Sequence, residues 1–340
     1  MTADKQLALL ENRLVLILGD VMIDRYLTGS VTRISPEAPV PVVLHQKTED
    51  RLGGAANVAL NIAALGSTPL LCSVAGRDDD GAALLKLLPA SGISAEGILL
   101  SQERKTSVKT RVLGNNQQML RIDQEDTHDL TQEETQLFLQ QVHALLEKYP
   151  VEAIIFQDYN KGVLTQTVIE NVLKAARERN IPTTVDPKKA NFFAYQQVSL
   201  FKPNLKEIRD SVPFSVYSNS SSLTEASFFL KERLKNQLTM ITLSENGLYL
   251  DVESGGKIYP TQQRNVADVS GAGDTVISIA TLALIAGFKP SLMAALSNLA
   301  GGQVCEFPGV VPVKKDLLKA ELDNWLRENE EAGPPFNPTS

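Results

Sequence analysis

Short apolar runs alternate with helix-like segments along most of the chain. Residues 14–18 are continuously apolar and are followed by Gly19, a pattern typical of a buried strand that runs into a loop. Further strands are predicted at residues 70–74, 153–156, 182–185, 198–201 and 240–243. Helix patterns or helix start and stop signals mark residues 55–65, 80–88, 131–148 and 168–180. This alternation predicts an α/β fold with a mainly parallel central sheet and helices on both faces.

Two segments depart from that alternation. Residues 20–50 contain several prolines and no helical period, which predicts short strands that form a lid. Residues 98–123 hold two alternating stretches on either side of Asn115 and Asn116, as in a β-hairpin. We therefore expect one α/β domain over residues 1–328, with a small β-lid near residues 20–50 and 100–123, and a flexible tail over residues 329–340.

Charge and composition exclude several classes of protein. The chain has 33 Lys and Arg against 40 Asp and Glu, a net charge of -7, which argues against a nucleic-acid partner. Cys72 and Cys305 form neither a disulfide framework nor a zinc motif, so reduced thiols in a cytoplasmic protein are the simpler interpretation. The apolar stretch 276–288 is too short to span a bilayer, and residues 1–11 lack the pattern of a signal peptide.

A glycine-rich segment at residues 268–274 directly precedes a long apolar helix pattern. Small residues let the backbone approach a ligand closely, and free amides at a helix start bind anions. Asp274, in the first turn, could take a proton from a hydroxyl beside such an anion. A glycine-rich N-cap with an acidic residue favoured by the helix dipole explains the same pattern, so both interpretations stay open at this point.

A second glycine motif opens an earlier predicted helix. Gly53 and Gly54 would let a polar ligand pack against the backbone, and Asn57 offers a donor and an acceptor to hydroxyl groups. An ordinary helix start explains these residues equally well.

Both motifs resemble the signatures of one family, the ribokinase-like (phosphofructokinase-B-type) carbohydrate kinases. The resemblance covers about residues 12–328. A narrower resemblance, to the heptose 7-phosphate kinases of that family, is carried by residues 19–26, 33–42, 116–121, 158–162 and 186–188. The string at residues 33–42, RISPEAPVPV, is much more specific than either glycine motif.

The resemblance implies a ribokinase-like fold and an ATP-dependent kinase. The reaction would transfer the γ-phosphoryl group to O1 of D-glycero-D-manno-heptose 7-phosphate, for ADP-heptose and lipopolysaccharide core synthesis. Asp274 would be the base, and the backbone amides of Gly271, Ala272 and Gly273 would hold the developing charge. The residues expected at the sugar phosphate are Asp20, Asp24, Arg33, Gly53, Gly54, Asn57, Arg111, Arg121 and Lys161.

Ordinary structural roles remain alternatives for several of these side chains. Asp24 could pair with Arg25 or Arg33 on the surface, and Arg111 and Arg121 could be surface charges across a hairpin. The sequence leaves these alternatives open.

For the nucleotide, the resemblance implies ATP with Mg²⁺ and allows a K⁺ ion. The residues expected at ATP are Lys188, Asn204, Glu207, Thr242, Ser244, Gly247 and Asn298. Glu207 would contact Mg²⁺ through water, and Asp268 and Ser270 would lie near the K⁺ ion. A helix cap explains Asn204 and Glu207 as well, and Lys188 and Asn298 could be a turn lysine and a helix-surface asparagine.

Partners and competing functions follow from the same segments. Extended lid strands with apolar Val40, Val42 and Leu44 could pair between subunits, so we expect a homodimer. The chain ends soon after Trp325, so we expect a separate nucleotidyltransferase for the next step of the pathway.

The alternatives to this function are a kinase for another sugar or sugar phosphate, and a catalytically silent regulator that binds sugar or nucleotide. The absence of a GxGxxG motif after the first apolar run argues against a dinucleotide-binding oxidoreductase.

Overall fold

The computed structural model describes residues 2–115, 117–252 and 255–328. The tail predicted over residues 329–340 lies outside these residues, as does Asn116. The described strands are β1 (Leu14–Gly19), β2 (Val21–Ile34), β3 (Pro41–Gly54), β4 (Thr68–Gly76), β5 (Ile98–Ser101), β6 (Val108–Gly114), β7 (Gln117–Gln124), β8 (Ala153–Gln157), β9 (Thr183–Asp186), β10 (Leu200–Phe201), β11 (Leu238–Thr242), β12 (Leu248–Val252) and β13 (Gly255–Tyr259).

Helices connect most of these strands and cover the larger sheet. They are α1 (Ala3–Ala8), α2 (Ala55–Ala64), α3 (Asp79–Ala90), α4 (Gln132–Lys148), α5 (Gln166–Glu178), α6 (Leu205–Arg209), α7 (Ser220–Leu234), α8 (Ala272–Ile285), α9 (Pro290–Val304) and α10 (Lys315–Glu328). Among the described residues, no helix is both long and apolar enough to cross a membrane.

The larger sheet has nine strands, in the order β13-β12-β11-β10-β9-β8-β1-β4-β5. The pairs from β11 to β5 are parallel, and β12 and β13 add an antiparallel edge. Successive residues of β1 enter different cores: Val15 and Ile17 pack in one, Leu16 and Leu18 in the other. Because both faces are covered, the strand is apolar throughout. The predicted α/β fold is confirmed, although β12 and β13 were not predicted.

The lid is a separate four-stranded sheet in the order β3-β2-β6-β7. Its strands β2 and β3 have 14 residues each, so the prediction of short strands over residues 20–50 was wrong. The β-hairpin predicted near residues 108–122 corresponds to β6 and β7, which pair antiparallel.

The lid is joined to the α/β unit at the carboxyl end of β1. β2 starts directly after β1, and β3 runs straight into α2 through Gly54. Gly54 has a φ of +61°, and a Cβ there would come within 2.3 Å of the Asp20 carbonyl oxygen, so this turn requires glycine. The connection puts the lid over the edge where ligands bind in open α/β sheets.

Candidate active site

Asp274 lies buried in the first turn of α8, with 3% of its surface exposed. Gly271 caps this helix with a φ of +81°, and a Cβ on it would lie 2.7 Å from Asn57 Nδ2. Glycine is therefore required at position 271 both for the backbone conformation and for the close approach of α2.

Three neutral donors hold the Asp274 carboxylate. Asn57 Nδ2 donates to Oδ2 at 2.8 Å, while Gln157 Nε2 and the Tyr159 hydroxyl donate to Oδ1 at 3.1 and 2.6 Å. The side-chain oxygen Oδ1 of Asn57 accepts from Asn61 Nδ2 at 3.4 Å, which orients the Asn57 amide. The structure thus brings the two glycine motifs together, and adds a third segment, the loop after β8.

The surroundings of Asp274 suit a general base. Burial raises its pKa to about 6, and the donors Asn57 and Tyr159 oppose that rise. Asp186 also raises the pKa, whereas Lys202 lowers it. A carboxyl group with a pKa close to neutral can both accept and release a proton under physiological conditions.

Lys202 brings a buried cation to the start of α8. It is 2% exposed, and its Nζ lies 3.0 Å from Asp186 Oδ2. A Cβ on Gly273 would come 3.5 Å from Asp186 Oδ2 and 3.7 Å from Lys202 Nζ, so this ion pair lies beside the amides of the glycine loop. Sequence reasoning missed Lys202, although it directly precedes the Pro203–Asn204 segment considered for ATP.

Lys188, Asn204 and Glu207 meet on the nucleotide side. Asn204 Oδ1 accepts from the Glu207 backbone N–H at 2.8 Å, and Glu207 Oε2 accepts from the Asn204 N–H at 2.8 Å, which forms a capping box on α6. Lys188 forms an ion pair with the other oxygen of Glu207. The helix-cap alternative is therefore observed, and the same carboxylate also faces a cation.

The other residues predicted for ATP lie around the ends of β11, β12 and β13. Thr242 ends β11 and its N–H donates to the Pro203 carbonyl at 3.1 Å, which places it beside the α6 cap. Ser244 and Gly247 have positive φ values of 54° and 88° in the turn to β12. Asn298 donates to the carbonyl oxygens of residues 259 and 260 at 2.8 and 3.2 Å, so the contact that the structure shows fastens the loop after β13. Its adenine contact stays a prediction.

Asp24 and Arg111 form a buried ion pair at the base of the lid. They are 3% and 9% exposed, so the surface alternatives for both were wrong. Arg25 pairs instead with Asp50 and Asp80. Gly53 leaves room for the Asp24 carboxylate, because a Cβ there would lie 2.1 Å from Asp24 Oδ2.

Among the described residues, Arg33 and Arg121 lie apart from the pair formed by Asp24 and Arg111. Arg121 is paired with Asp123 of its own strand, and 52% of its side chain is exposed. Arg33 is exposed and lies nine residues beyond Asp24 on β2, which is roughly 30 Å at 3.3 Å per residue. The surface-charge alternative fits Arg121. The long strand places Arg33 far from Asp24, and its contact with the sugar phosphate stays a prediction.

Lys109 and Lys161 complete the positive side of the cleft. Lys161 pairs with Glu125 at 2.5 Å, and Lys109 Nζ lies 5.5 Å from the centre of the Tyr159 ring. Burial lowers the pKa of the Lys109 ammonium. Lys109 was missed from the sequence, although it lies two residues before Arg111 and therefore on the same face of β6.

The Asp20 carboxylate accepts hydrogen bonds from the backbone of the loop after β8. Asp20 is 1% exposed, and its carboxylate accepts N–H bonds from Tyr159, Lys161 and Val163 at 2.8, 3.1 and 3.2 Å. Burial, with a further contribution from Asp158, raises its pKa to about 6. The structure thus shows Asp20 ordering the loop that carries Tyr159, and its sugar contact stays a prediction.

The two residues considered for K⁺ lie in the turn before α8. Asp268 accepts N–H bonds from Ser270 at 2.9 Å and Gly309 at 3.1 Å. Although burial opposes it, these donors lower the pKa of Asp268. Within the described ranges, no group of three or more His, Cys, Asp or Glu side chains could hold a metal ion.

Comparison with known proteins agrees with this geometry. The chain matches the sequence model described as pfkB family carbohydrate kinase over residues 12–315. It is 39% identical over 310 residues to the bifunctional protein HldE of Methylobacillus flagellatus, and 40% identical over 310 residues to HldE of Magnetococcus marinus. Each alignment covers 91% of this chain and 63% of the relative, so the chain spans less than two thirds of these curated relatives.

Solved structures share the fold. Phosphofructokinase-2 from Escherichia coli in complex with potassium has a TM-score of 0.76 at 18% identity, and covers 93% of this chain and 99% of its own. Ribokinase from Arabidopsis thaliana, complexed with ribose and ATP, has a TM-score of 0.69 at 14% identity over 91% of this chain and 99% of its own.

The fold and the family match define a carbohydrate kinase. More particularly, the chain belongs to the pfkB family of carbohydrate kinases. It is accordingly an ATP-dependent enzyme that phosphorylates a sugar, and the resemblance seen in the sequence is confirmed.

Proposed function

We propose that this chain transfers the γ-phosphoryl group of ATP to O1 of D-glycero-D-manno-heptose 7-phosphate and forms heptose 1,7-bisphosphate. The observation that carries the mechanism is the hydrogen bond between Asn57 and Asp274, which joins both kinase motifs in one buried site. The choice of heptose 7-phosphate rests on the resemblance of residues 33–42 and 158–162. The cations at the lid base support a phosphorylated sugar.

Asp274 would act as the general base at the reacting hydroxyl. It takes the O1 proton, the O1 electron pair forms a bond to the γ-phosphorus, and the bond to the β–γ bridging oxygen breaks as ADP leaves. The amides of Gly271, Ala272 and Gly273 stabilise the charge on the transferring group. Lys202, buried beside Gly273 and paired with Asp186, would add a fixed positive charge whose effect is strengthened by burial.

The sugar's 7-phosphate would lie against Lys109, Arg111 and Lys161. The contacts of Tyr159 support this placement, because its hydroxyl donates to Asp274 while Lys109 Nζ lies 5.5 Å from its ring centre. The base and the lid cations are thus separated by about one aromatic side chain. Asp24, Gly53 and Gly54 lie at the same end of the cleft and would contact the sugar hydroxyls.

Lys188 and Glu207 would serve the phosphates of ATP. Lys188 lies 5.8 Å from the centre of the Tyr159 ring and pairs with Glu207. Mg²⁺ bound with ATP supplies charge neutralisation, and Glu207 would hold one of its waters. Asp268 and Ser270 would lie near a K⁺ ion in the turn before α8.

The outer half of the lid supports a homodimer. Ile34 on β2, Leu44 on β3 and Val40 in the turn between these strands are 60%, 65% and 52% exposed. A second copy of the lid would cover these side chains. Gel filtration should show a dimer that the substitution Leu44→Asp converts to monomer.

A nucleotidyltransferase would consume the kinase's product in the next step of the pathway.

A sugar-phosphate panel tests the proposal. ADP release and phosphorus NMR of the product should show rapid turnover of heptose 7-phosphate at O1, and slow or no turnover of fructose 6-phosphate and ribose. Faster turnover of another sugar would favour the alternative substrate. ATP binding without turnover of any sugar, unchanged in Asp274→Asn, would favour the silent regulator.

A further inference from the structure

The two oxygens of Asp274 are occupied unequally. Oδ1 accepts from both Tyr159 and Gln157, whereas Asn57 is the donor that the described residues provide to Oδ2. An ionised carboxylate has about four acceptor positions, two on each oxygen. The described residues therefore leave one position open, and it lies on Oδ2.

We propose that Oδ2 of Asp274 takes the proton from the sugar hydroxyl, and that Tyr159 is the positioning residue that presents this oxygen. The inference rests on the proposed function in one respect, that Asp274 is the base. The O1 proton moves to Oδ2, and the electron pair it leaves forms the bond to the γ-phosphorus while ADP leaves with its bridging oxygen.

The Tyr159 hydroxyl is suited to holding the carboxylate and unsuited to taking the proton itself. Its 2.6 Å contact with Oδ1 lies in the range of charge-assisted O–H···O⁻ bonds. Burial and the adjacent Asp274 keep the pKa of Tyr159 well above its usual range, so the hydroxyl stays protonated and donates. The bond is strong when Asp274 is ionised, which is the state that can accept the sugar proton.

The loop around Tyr159 is built to fix this hydroxyl. The Tyr159 N–H donates to Asp20 at 2.8 Å, and Gln157 Nε2 bridges Asp274 and Asp186 at 3.1 and 3.3 Å. Both acceptors are carboxylates, so the Gln157 amide must point its nitrogen towards them. The ammonium groups of Lys109 and Lys188 lie within 6 Å of the Tyr159 ring centre, at 5.5 and 5.8 Å. Tyr159 therefore contacts Asp274 and lies beside Lys109, proposed for the sugar phosphate, and Lys188, proposed for ATP.

The charged groups near Asp274 come from three segments and do not change when Tyr159 is replaced. Asp186 lies at the end of β9, Lys188 in the following loop, and Lys202 directly after β10. Loss of the Tyr159 donor removes a bond to the ionised form and therefore raises the pKa of Asp274 further above its ordinary value.

The test compares Tyr159→Phe with Tyr195→Phe. Tyr195 is also buried and donates to a buried carboxylate, Asp158 Oδ2, at 2.7 Å, but it does not contact Asp274. In Tyr159→Phe, the acid limb of the kcat profile should move up by roughly one pH unit, as expected for one bond to a charged group. On the plateau, kcat should fall about tenfold while KM for ATP stays unchanged. Tyr195→Phe should keep the wild-type profile.

A titration without substrate separates this inference from the proposed function. Carboxyl ¹³C NMR of the Asp-labelled protein follows Asp274, with its signal assigned by its loss in Asp274→Asn. A higher Asp274 pKa in Tyr159→Phe supports the inference even if the wild-type enzyme proves to use another sugar. An unchanged Asp274 titration, or equal shifts in both tyrosine variants, overturns it. Circular dichroism melting checks that both variants are folded.

Discussion

The two ends of the cleft hold charge in different ways. At the core end, Asn57, Gln157 and Tyr159 surround one buried carboxylate with neutral donors. At the lid end, Lys109 and Lys161 present ammonium groups from a strand and a loop, and Lys161 is 15% exposed in its pair with Glu125. Neutral donors fix the position of a group without cancelling its charge, which suits a base. Partly solvated cations attract a charged ligand from water, which suits binding.

The largest effect is expected at the core end, from Asp274→Asn. An amide cannot take the sugar proton, so kcat should fall by about 10²–10⁴-fold, the usual contribution of a general base. KM for the sugar should change little, because the lid end remains intact. Asp251→Asn is the matched control, since Asp251 is also a buried carboxyl group but pairs with Ser227 and Lys231 at the sheet edge. Equal activity in the two variants would contradict the assignment of Asp274.

The pH dependence of kcat should follow the ionisation of Asp274 at the core end. Burial raises the pKa of Asp274 to about 6, and only the ionised form can accept a proton. Activity should therefore be half-maximal near pH 6 and fall about tenfold per pH unit below it. Asp20 has a pKa of about 6 as well. The variant Asp20→Asn separates the two groups, because an acid limb remains in it, even if displaced by a change in the loop that carries Tyr159, when Asp274 is responsible, and disappears when Asp20 is.

The lid end should affect binding rather than the chemical step. Lys109→Met removes a charge-assisted contact with the sugar's phosphate, so KM for the sugar phosphate should rise by about 10–100-fold with a small change in kcat. Arg121→Met is the matched control on the neighbouring strand, because Arg121 is exposed and paired with Asp123. It should change KM less than about twofold. If Lys109→Met lowered kcat instead, the division between the two ends would be wrong.

The sequence predicted the core end better than the lid end. Asp274 and Asn57 stand in short motifs at helix starts, where backbone geometry dictates the residue types. The spacing of Lys109 to Arg111 indicated a shared face of β6, but its place beside Asp24 depends on the register between β2 and β6. The distance of Arg33 from Asp24 depends on the length of β2. This strand extends over 14 residues because β3 pairs with it almost throughout.

The role of Tyr159 could not be predicted from the sequence, for a different reason. Its place beside Asp274 depends on a loop whose amides bond to Asp20, a residue that lies far from it in the chain. No local pattern of apolar and polar residues encodes such a contact. The family resemblance includes residues 158–162 but implies no role for the tyrosine.

The smallest effect is expected from Glu207→Gln, at the edge of the core end. The described residues include two capping boxes with a glutamate in the same position, Asn204–Glu207 on α6 and Thr131–Glu134 on α4. Glutamine preserves the box in both, so the matched variants Glu207→Gln and Glu134→Gln should lose similar, small amounts of stability. They differ in their second partner, which is Lys188 for Glu207 and Ser101 for Glu134.

The Mg²⁺ requirement should therefore separate the two variants. Glu207→Gln removes a negative charge that would hold a magnesium-bound water, so the Mg²⁺ concentration for half-maximal activity should rise roughly threefold. Glu134→Gln should leave it unchanged, because its carboxylate faces Ser101 instead of a phosphate-binding lysine. Equal Mg²⁺ dependence in both variants would mean that Glu207 serves α6 alone, and that the core end binds its metal through ATP without help from this carboxylate.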